Sequence, residues 1–264
     1  MPVGDDAGLA AGTADAVAAT LAGARTVVAV TGAGMSQESG VPTFRDAQTG
    51  LWARFDPAEL ATPEAFRRDP ERVFGWYLRR WTLARRAEPH AGYRALAGLA
   101  DVFDELLVVT QNVDGLHRRA GSPDVVELHG SLEAFRCADA GHPFAADGLE
   151  ALAGRVPDGP VAPPRCPECG SPVRPGVVWF GEGLPGAAVE RAWAAAESCD
   201  AMLVIGTSSL VFPAASVPEI VLRRGRPVIE INPDRTPLTP RARVWWPARA
   251  GDALPALAAR LHAA

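Results

Sequence analysis

The chain has 264 residues, 48% hydrophobic and 22% charged, which is room for one large α/β domain with a smaller module attached. A net charge of −5 gives nucleic acid or anionic lipid no overall attraction, and no apolar run approaches the roughly 20 residues of a membrane span. All 26 basic residues are arginine, which excludes a Walker A lysine, a Schiff-base lysine and a lysine general base. The opening MPVGDDAG has neither the basic nor the apolar region of a secretory signal, so a cytoplasmic location is expected. Residues 1–14 are small, acidic and aperiodic and are expected to be mobile; residues 15–24 are Ala-rich and predict a helix. Val27, Val28, Ala29 and Val30 form a short apolar run with β-branched residues, the pattern of a buried parallel strand. Gly32, Ala33 and Gly34 follow, where glycine lets the backbone turn sharply and approach a ligand. Residues 35–39 can then open a helix whose N–H groups face a phosphate. Strand, glycine turn and helix start are the layout of a dinucleotide site. The third glycine, Gly40, is late for the GxGxxG fingerprint, so the turn alone also fits an ordinary βα connection. The continuation GVPTFR is more specific. It sets Phe44 and Arg45 just beyond the turn, where they could cover a nucleotide.

Farther along, residues 46–50 are turn-like and 51–87 read as helical, with Thr62 a cap and Pro63 in a first turn. Residues 73–86 predict a second helix in this segment. A helix over 91–100 and a strand over 106–110 follow, and the strand runs into QNVDGLH at its carboxyl end. VVELHG, 125–130, predicts a strand ending in His129. Residues 131–178 break the rhythm, being proline-rich with three cysteines. Alternation then returns: helix 186–198, strand 201–206, a helix after Pro213, strand 228–232 and helix 252–262. No internal repeat is visible. The fold class is therefore α/β, a doubly wound parallel sheet with insertions at 46–90 and 131–178 that pack into one small module.

Several residues carry chemistry. Cys166 and Cys169 form a CxxC on a Pro-rich knuckle, and Cys137 lies upstream. Thiolates at this spacing bind tetrahedral zinc, which needs a fourth ligand. Ala140 stands where a first CxxC would be completed, so His142 is the first candidate and Asp139 the second; a degenerate, metal-free knuckle is the alternative. Cys199 reads as a small core residue, and a disulfide is disfavoured in a cytosolic chain. His129 sits where a general base could face the QNVD loop; His90, His117, His142 and His262 have helix or loop contexts. Gln111, Asn112 and Asp114 place two amides and a carboxylate on one loop. Gly206, Thr207 and Ser208 make a second small-residue turn at a strand end, suited to phosphate or ribose hydroxyls. Asn232 is a ribose ligand or a helix cap. Tyr77 and Arg80, three residues apart, share a helix face; taken alone, they read as a core aromatic beside a solvated arginine.

GAGMSQESGVPTFR, TQNVDGLH, ELHG, VVWFGE, GTSS and EIN, in that order, resemble the sirtuins, the NAD-dependent protein lysine deacylases. The match spans about residues 15–261. It implies a Rossmann-like core (15–45, 91–130 and 179–262) and a small domain built from a helical insertion and a zinc-binding insertion. By resemblance, Gly32, Ala33, Gly34 and Arg45 hold the pyrophosphate of NAD, and Phe44 shields the reactive ribose carbon. Gln111, Asn112 and Asp114 line the ribose and nicotinamide pocket. Gly206, Thr207, Ser208, Asn232 and Ala250 bind the adenosine half, and His129 is the base. Val178, Trp179, Phe180, Gly181 and Glu182 would pair with the substrate peptide by β-augmentation. Cys137, His142, Cys166 and Cys169 would hold structural zinc. The implied reaction consumes NAD and turns acyl-lysine into lysine, nicotinamide and O-acyl-ADP-ribose. The family's demalonylase and desuccinylase members carry YxxR and ATP segments. Tyr77 and Arg80, and Ala61 in Ala61-Thr62-Pro63, match these and imply succinyl- and malonyl-lysine as substrates beside acetyl-lysine. Mono-ADP-ribosyl transfer is the alternative on the same NAD site. An NAD-sensing module without turnover is disfavoured by Asn112, Asp114 and His129, and a dehydrogenase by the lack of an acidic residue at the expected distance after the glycine turn. The expected partners are acylated lysines of proteins, not nucleic acid or membrane, and the expected form is a monomer.

Overall fold

A computed structural model describes residues 6–41, 56–149 and 156–263. Among these, strands form where aliphatic and β-branched residues cluster. They are β1 (Thr26–Thr31), β2 (Glu105–Thr110), β3 (Val125–Glu127), β4 (Gly130–Cys137), β5 (Pro143–Phe144), β6 (Val173–Val177), β7 (Ala201–Ile205), β8 (Val228–Ile231) and β9 (Val244–Trp246). The helices are α1 (Asp6–Leu21), α2 (Gly34–Gln37), α3 (Pro57–Leu60), α4 (Pro63–Arg68), α5 (Pro70–Arg86), α6 (Ala91–Gly98), α7 (Leu116–Arg119), α8 (Gly186–Ser198), α9 (Val217–Arg223) and α10 (Ala250–Leu261).

Six strands form one sheet in the order β3-β2-β1-β7-β8-β9, every pair parallel. Parallel pairing requires crossovers that cover both faces, and successive side chains point to opposite faces. Val27 and Ala29 accordingly enter a core with residues of α1, α6 and α10. Val28 and Val30 enter another with residues of α8 and α9. Burial on both sides is why β1 reads as an unbroken apolar run. Glu230, fully buried in β8, carries an ionisable group into this interior; the Thr239 hydroxyl donates to it at 2.5 Å and the Thr236 hydroxyl donates as well, which offsets the cost of burying a carboxylate. The chain winds outward from β1 through β2 and β3, then restarts at β7 on the other side. The crevice at this switch point, outside the carboxyl ends of β1 and β7, is where open α/β sheets bind ligands.

A second sheet, β5-β4-β6, is antiparallel. Its core joins Phe66, Trp76 and Trp81 of α4 and α5 to Phe135, Val173 and Trp179, so two segments distant in sequence share one small module. Pro57, Pro63 and Pro70 each open a helix and divide the predicted helical stretch after residue 55 into three. Thr62 caps α4, its hydroxyl accepting from the Ala65 N–H at 3.1 Å. Thr62→Ala is expected to cost about 1 kcal/mol; an unchanged urea midpoint would show that the cap contributes nothing.

Three expectations are corrected. Residues 6–14 belong to α1, which starts well before residue 15. β3 ends at Glu127, so His129 stands in the turn between β3 and β4 and not on a strand. β9, a three-residue edge strand, has no counterpart in the sequence reading. Among the described residues, no helix is long and apolar enough to cross a membrane.

Candidate active site

The crevice begins with two turns packed backbone to backbone. Gly32 N–H donates to Ile205 O at 3.0 Å and Gly34 N–H to Gly206 O at 2.8 Å. A Cβ on Gly32 would stand 2.7 Å from Thr207 Cβ, and one on Gly34 2.9 Å from Gly206 Cα. Any side chain there would push the strands' ends apart, so glycine is required by the close approach. Across these ends, Gln111 Nε2 donates to Thr207 Oγ1 at 3.1 Å and Asn232 Nδ2 to Thr207 O at 2.9 Å. Asn232 Oδ1 accepts from Asp234 N–H at 3.3 Å, an Asx turn and not a helix cap. Ser208 follows Thr207, and Ala250 opens α10, whose Gly251 N–H donates to Glu38 just after α2. Phe44 and Arg45 lie outside the described residues.

Below this rim lies a buried polar network centred on Ser36, a residue the sequence reading passed over. Ser36 Oγ donates to Asp114 Oδ2 at 2.6 Å and accepts from Asn112 Nδ2 at 2.9 Å; Tyr93 Oη is 2.9 Å away. Asn112 Nδ2 also donates to Gly32 O at 2.9 Å. Both of its amide protons are thus committed, which fixes the orientation of the side chain. The other carboxylate oxygen of Asp114 accepts from Leu116 N–H at 2.9 Å at the start of α7. Burial raises the Asp114 pKa, opposed by those hydrogen bonds and by the Arg80 charge. His117 is fully enclosed, Nε2 lying 2.9 Å from Thr31 Oγ1, and burial drops its pKa to about 3. It is a neutral structural residue at any working pH.

His129 is half-buried, its Nδ1 2.9 Å from Gln111 O. A carbonyl only accepts, so Nδ1 carries the proton and Nε2 keeps its lone pair. Burial lowers the pKa, with the Gln111 bond working the other way. The neutral, Nε2-basic tautomer is the form a general base requires. Val178 N–H donates to His129 O at 2.8 Å, Leu132 N–H to Val113 O at 2.8 Å and Phe180 N–H to Ala61 O at 2.9 Å. These bonds tie the base, the QNVD loop, the VVWFGE segment and the start of the helical insertion together.

Arg174 organises that segment. Buried in β6, its guanidinium grips Glu182 through two nitrogens at 2.5 and 2.9 Å, donates to Val177 O at 2.9 Å and lies 3.3 Å from the Trp179 ring centroid. Burial disfavours the Glu182 charge, but Arg174 and the Trp179 N–H outweigh it and hold the carboxyl below its usual range. A lone arginine amid VRPGVV was the available signal. The backbone N–H groups of Val178, Trp179, Phe180 and Glu182 all donate inside the protein. Tyr77 is buried, its ring 6.1 Å from that of Trp179. The Arg80 guanidinium sits 4.9 Å from the Trp76 ring and 5.8 Å from the Tyr77 ring, within electrostatic reach of Asp114. Ala61 is buried in the same core.

Away from the crevice, Cys137, His142, Cys166 and Cys169 converge, their ligand atoms all within 4.8 Å of one another. Cys166 Sγ is 3.6 Å from His142 Nδ1 and Cys169 Sγ 3.7 Å from Cys137 Sγ. Four donors about 2.3 Å from a central zinc stand about 3.8 Å apart, so this Cys3His set fits a closed structural site. His142, not Asp139, completes it. Elemental analysis is expected to find about one zinc per chain, lowered by His142→Ala, and chelation is expected to reduce the melting temperature. Zinc well below that level in pure protein would contradict the assignment.

A model of the Sir2 family matches residues 32–213. An NAD-dependent protein deacylase of Methylococcus capsulatus is 49% identical over 248 residues, covering 92% of this chain and 95% of the relative. An NAD-dependent protein deacylase of Mycobacterium tuberculosis is 50% identical over 237 residues, covering 90% and 98%. Among solved structures, the crystal structure of a Sir2 homologue–NAD complex gives a TM-score of 0.85 at 44% identity over 94% of both chains. A structure of a Sir2 variant with deacetylated p53 peptide and 3'-O-acetyl ADP ribose gives 0.80 at 29% identity, covering 93% of this chain and 97% of that one. The match runs from the glycine turn at Gly32 past the β7 turn, so motif order, sheet topology and close relatives agree that the chain belongs to the Sir2, or sirtuin, family.

Proposed function

We propose that this chain is an NAD-dependent protein lysine deacylase acting on succinyl- and malonyl-lysine as well as acetyl-lysine. Gly32, Ala33, Gly34, Gly206, Thr207, Ser208, Asn232 and Ala250 would hold NAD, with Phe44 and Arg45 over it and Gln111, Asn112 and Asp114 at its nicotinamide end. The tight glycine turns at the switch point and the amide and hydroxyl groups across it suit such a ligand. When bound, NAD supplies an electrophilic ribose carbon with nicotinamide as leaving group. His129 Nε2, the basic nitrogen, would take a proton from a ribose hydroxyl of bound NAD. Asn112 and Asp114 keep their positions through Ser36. With four N–H groups of 178–182 engaged internally, pairing with an extended peptide falls to Gly181 N–H and to the segment's carbonyl oxygens.

The observation that carries the acyl preference is the placement of Tyr77 against Trp179, with Arg80 stacked on Tyr77 and within electrostatic reach of Asp114. A guanidinium and a phenol on one helix face would pair with a carboxylate at the end of a short acyl chain, and a small residue at Ala61 would suit a longer chain than acetyl. Mass spectrometry of succinyl-, malonyl- and acetyl-peptides incubated with NAD tests the reading. Free lysine peptide, nicotinamide and O-acyl-ADP-ribose are the expected products. An intact acyl group with added ADP-ribose would mean transferase action instead, and turnover of acetyl-peptide alone would remove the acidic-acyl preference.

A further inference from the structure

Trp179 is 2% exposed and wedged among Phe66, at 5.3 Å between ring centroids, Tyr77 at 6.1 Å and the Arg174 guanidinium at 3.3 Å. A buried indole N–H ordinarily finds an acceptor, because leaving it unpaired costs about 1–3 kcal/mol. Among the described residues the Trp179 Nε1–H has none. The Tyr77 phenol is its neighbour, and the indole opposes the rise of that phenol's pKa. That phenol, pushed up to about 12 by burial, stays protonated. One helical turn along α5, Arg80 stacks on Trp76 and Tyr77. An indole N–H, a phenol O–H and a guanidinium are donors, and the indole and guanidinium can do nothing else. The Arg174 guanidinium, paired with Glu182, lies on the indole face and holds the ring in place.

We infer that the Trp179 indole N–H is a third donor to the terminal carboxylate of an acyl-lysine substrate, beside Tyr77 and Arg80, and so a determinant of acidic-acyl specificity. The inference rests on the deacylase reading above. It explains why a buried polar hydrogen of the substrate segment has no acceptor among the described residues.

Trp179→Phe removes the N–H and keeps an aromatic ring. The ratio of kcat/KM for succinyl- over acetyl-peptide is expected to fall about 10- to 100-fold, the scale of a hydrogen bond to a charged group, with the change carried by KM. A ratio that does not move would overturn the inference. Arg80→Met, assayed alongside, keeps the two readings apart. If wild type hydrolyses succinyl-peptide and Arg80→Met loses that selectivity while Trp179→Phe does not, the deacylase reading stands and the role of Trp179 fails. If wild type lacks succinyl activity, the acyl reading itself fails. Wild-type protein gives a second readout that does not depend on the variant folding. The Trp179 indole N–H resonance, assigned through its contacts with Phe66 and Tyr77, should shift downfield with succinyl-peptide in the absence of NAD and not with acetyl-peptide. Identical spectra with the two peptides would count against the hydrogen bond.

Discussion

His129→Ala lowers deacylation by at least about 10²-fold, the usual contribution of a general base, and leaves the protein folded. The expectation follows from three observations on one residue. The Gln111 carbonyl assigns the proton to Nδ1, so Nε2 is the basic nitrogen. Burial lowers the pKa below the ordinary 6.5, so the neutral form prevails at neutral pH. The Val178 N–H to His129 O bond is made by the backbone and survives the substitution, while loss of the Gln111 bond costs only about 1 kcal/mol. The pH profile carries the same logic. A depressed pKa favours the neutral imidazole, so kcat/KM holds steady through neutrality and falls on acidification with a midpoint below 6.5. A variant with near-normal turnover, or an acid limb centred above about 7, would remove His129 from the proton transfer.

Arg80→Met loses about 2–4 kcal/mol on succinyl-lysine, the range for truncating one partner of a buried charge pair, which is roughly 30- to 10³-fold in kcat/KM. Acetyl-lysine has no carboxylate, so its loss is much smaller. Met keeps most of the side chain's length, so the apolar contact with Trp76 and Tyr77 is largely retained and the change reports chiefly on charge. Burial and the nearby Asp114 act on Arg80 in opposite directions. A guanidinium disfavoured by burial gains more from an incoming carboxylate than a solvated one does. Steady-state kinetics on matched succinyl- and acetyl-peptides decide the matter: equal losses on both would make Arg80 a structural residue, and the acyl preference would have to be sought elsewhere.

Local chemistry made some of this protein readable without coordinates. The apolar run before Gly32 could be assigned to a buried strand because parallel sheets are covered on both faces. α8 could be bounded correctly at Gly186–Ser198 because helical periodicity is a local property. The Thr62 cap and Pro63 in the first turn of α4 are likewise short-range signals, whereas the helix starts at Pro57 and Pro70 were not read from the sequence. The order of the motifs was enough to indicate the family, since each occupies one strand end and the ends converge.

Other features depend on contacts between segments far apart in the chain. The short β3 and the edge strand β9 exist because a neighbouring strand supplies their hydrogen bonds; three residues carry too little periodicity to announce them. His142 became the fourth ligand because β4 and the knuckle fold over each other, and spacing alone left Asp139 in contention. Ser36, Tyr93 and Arg174 escaped notice because a serine, a tyrosine or an arginine in isolation signifies nothing. Ser36 matters only once Asn112 and Asp114 lie on it, and Arg174 only once Glu182 and Trp179 close around it. Sequence by itself determined the central strands of the parallel sheet and helices such as α8, which short-range sterics specify, and it supplied the candidates for the reacting groups. Tertiary structure alone decided the tautomer of His129, the closure of the Cys3His set and the Trp179 indole left without an acceptor among the described residues, because hydrogen bonding and desolvation depend on which distant atoms arrive beside a group.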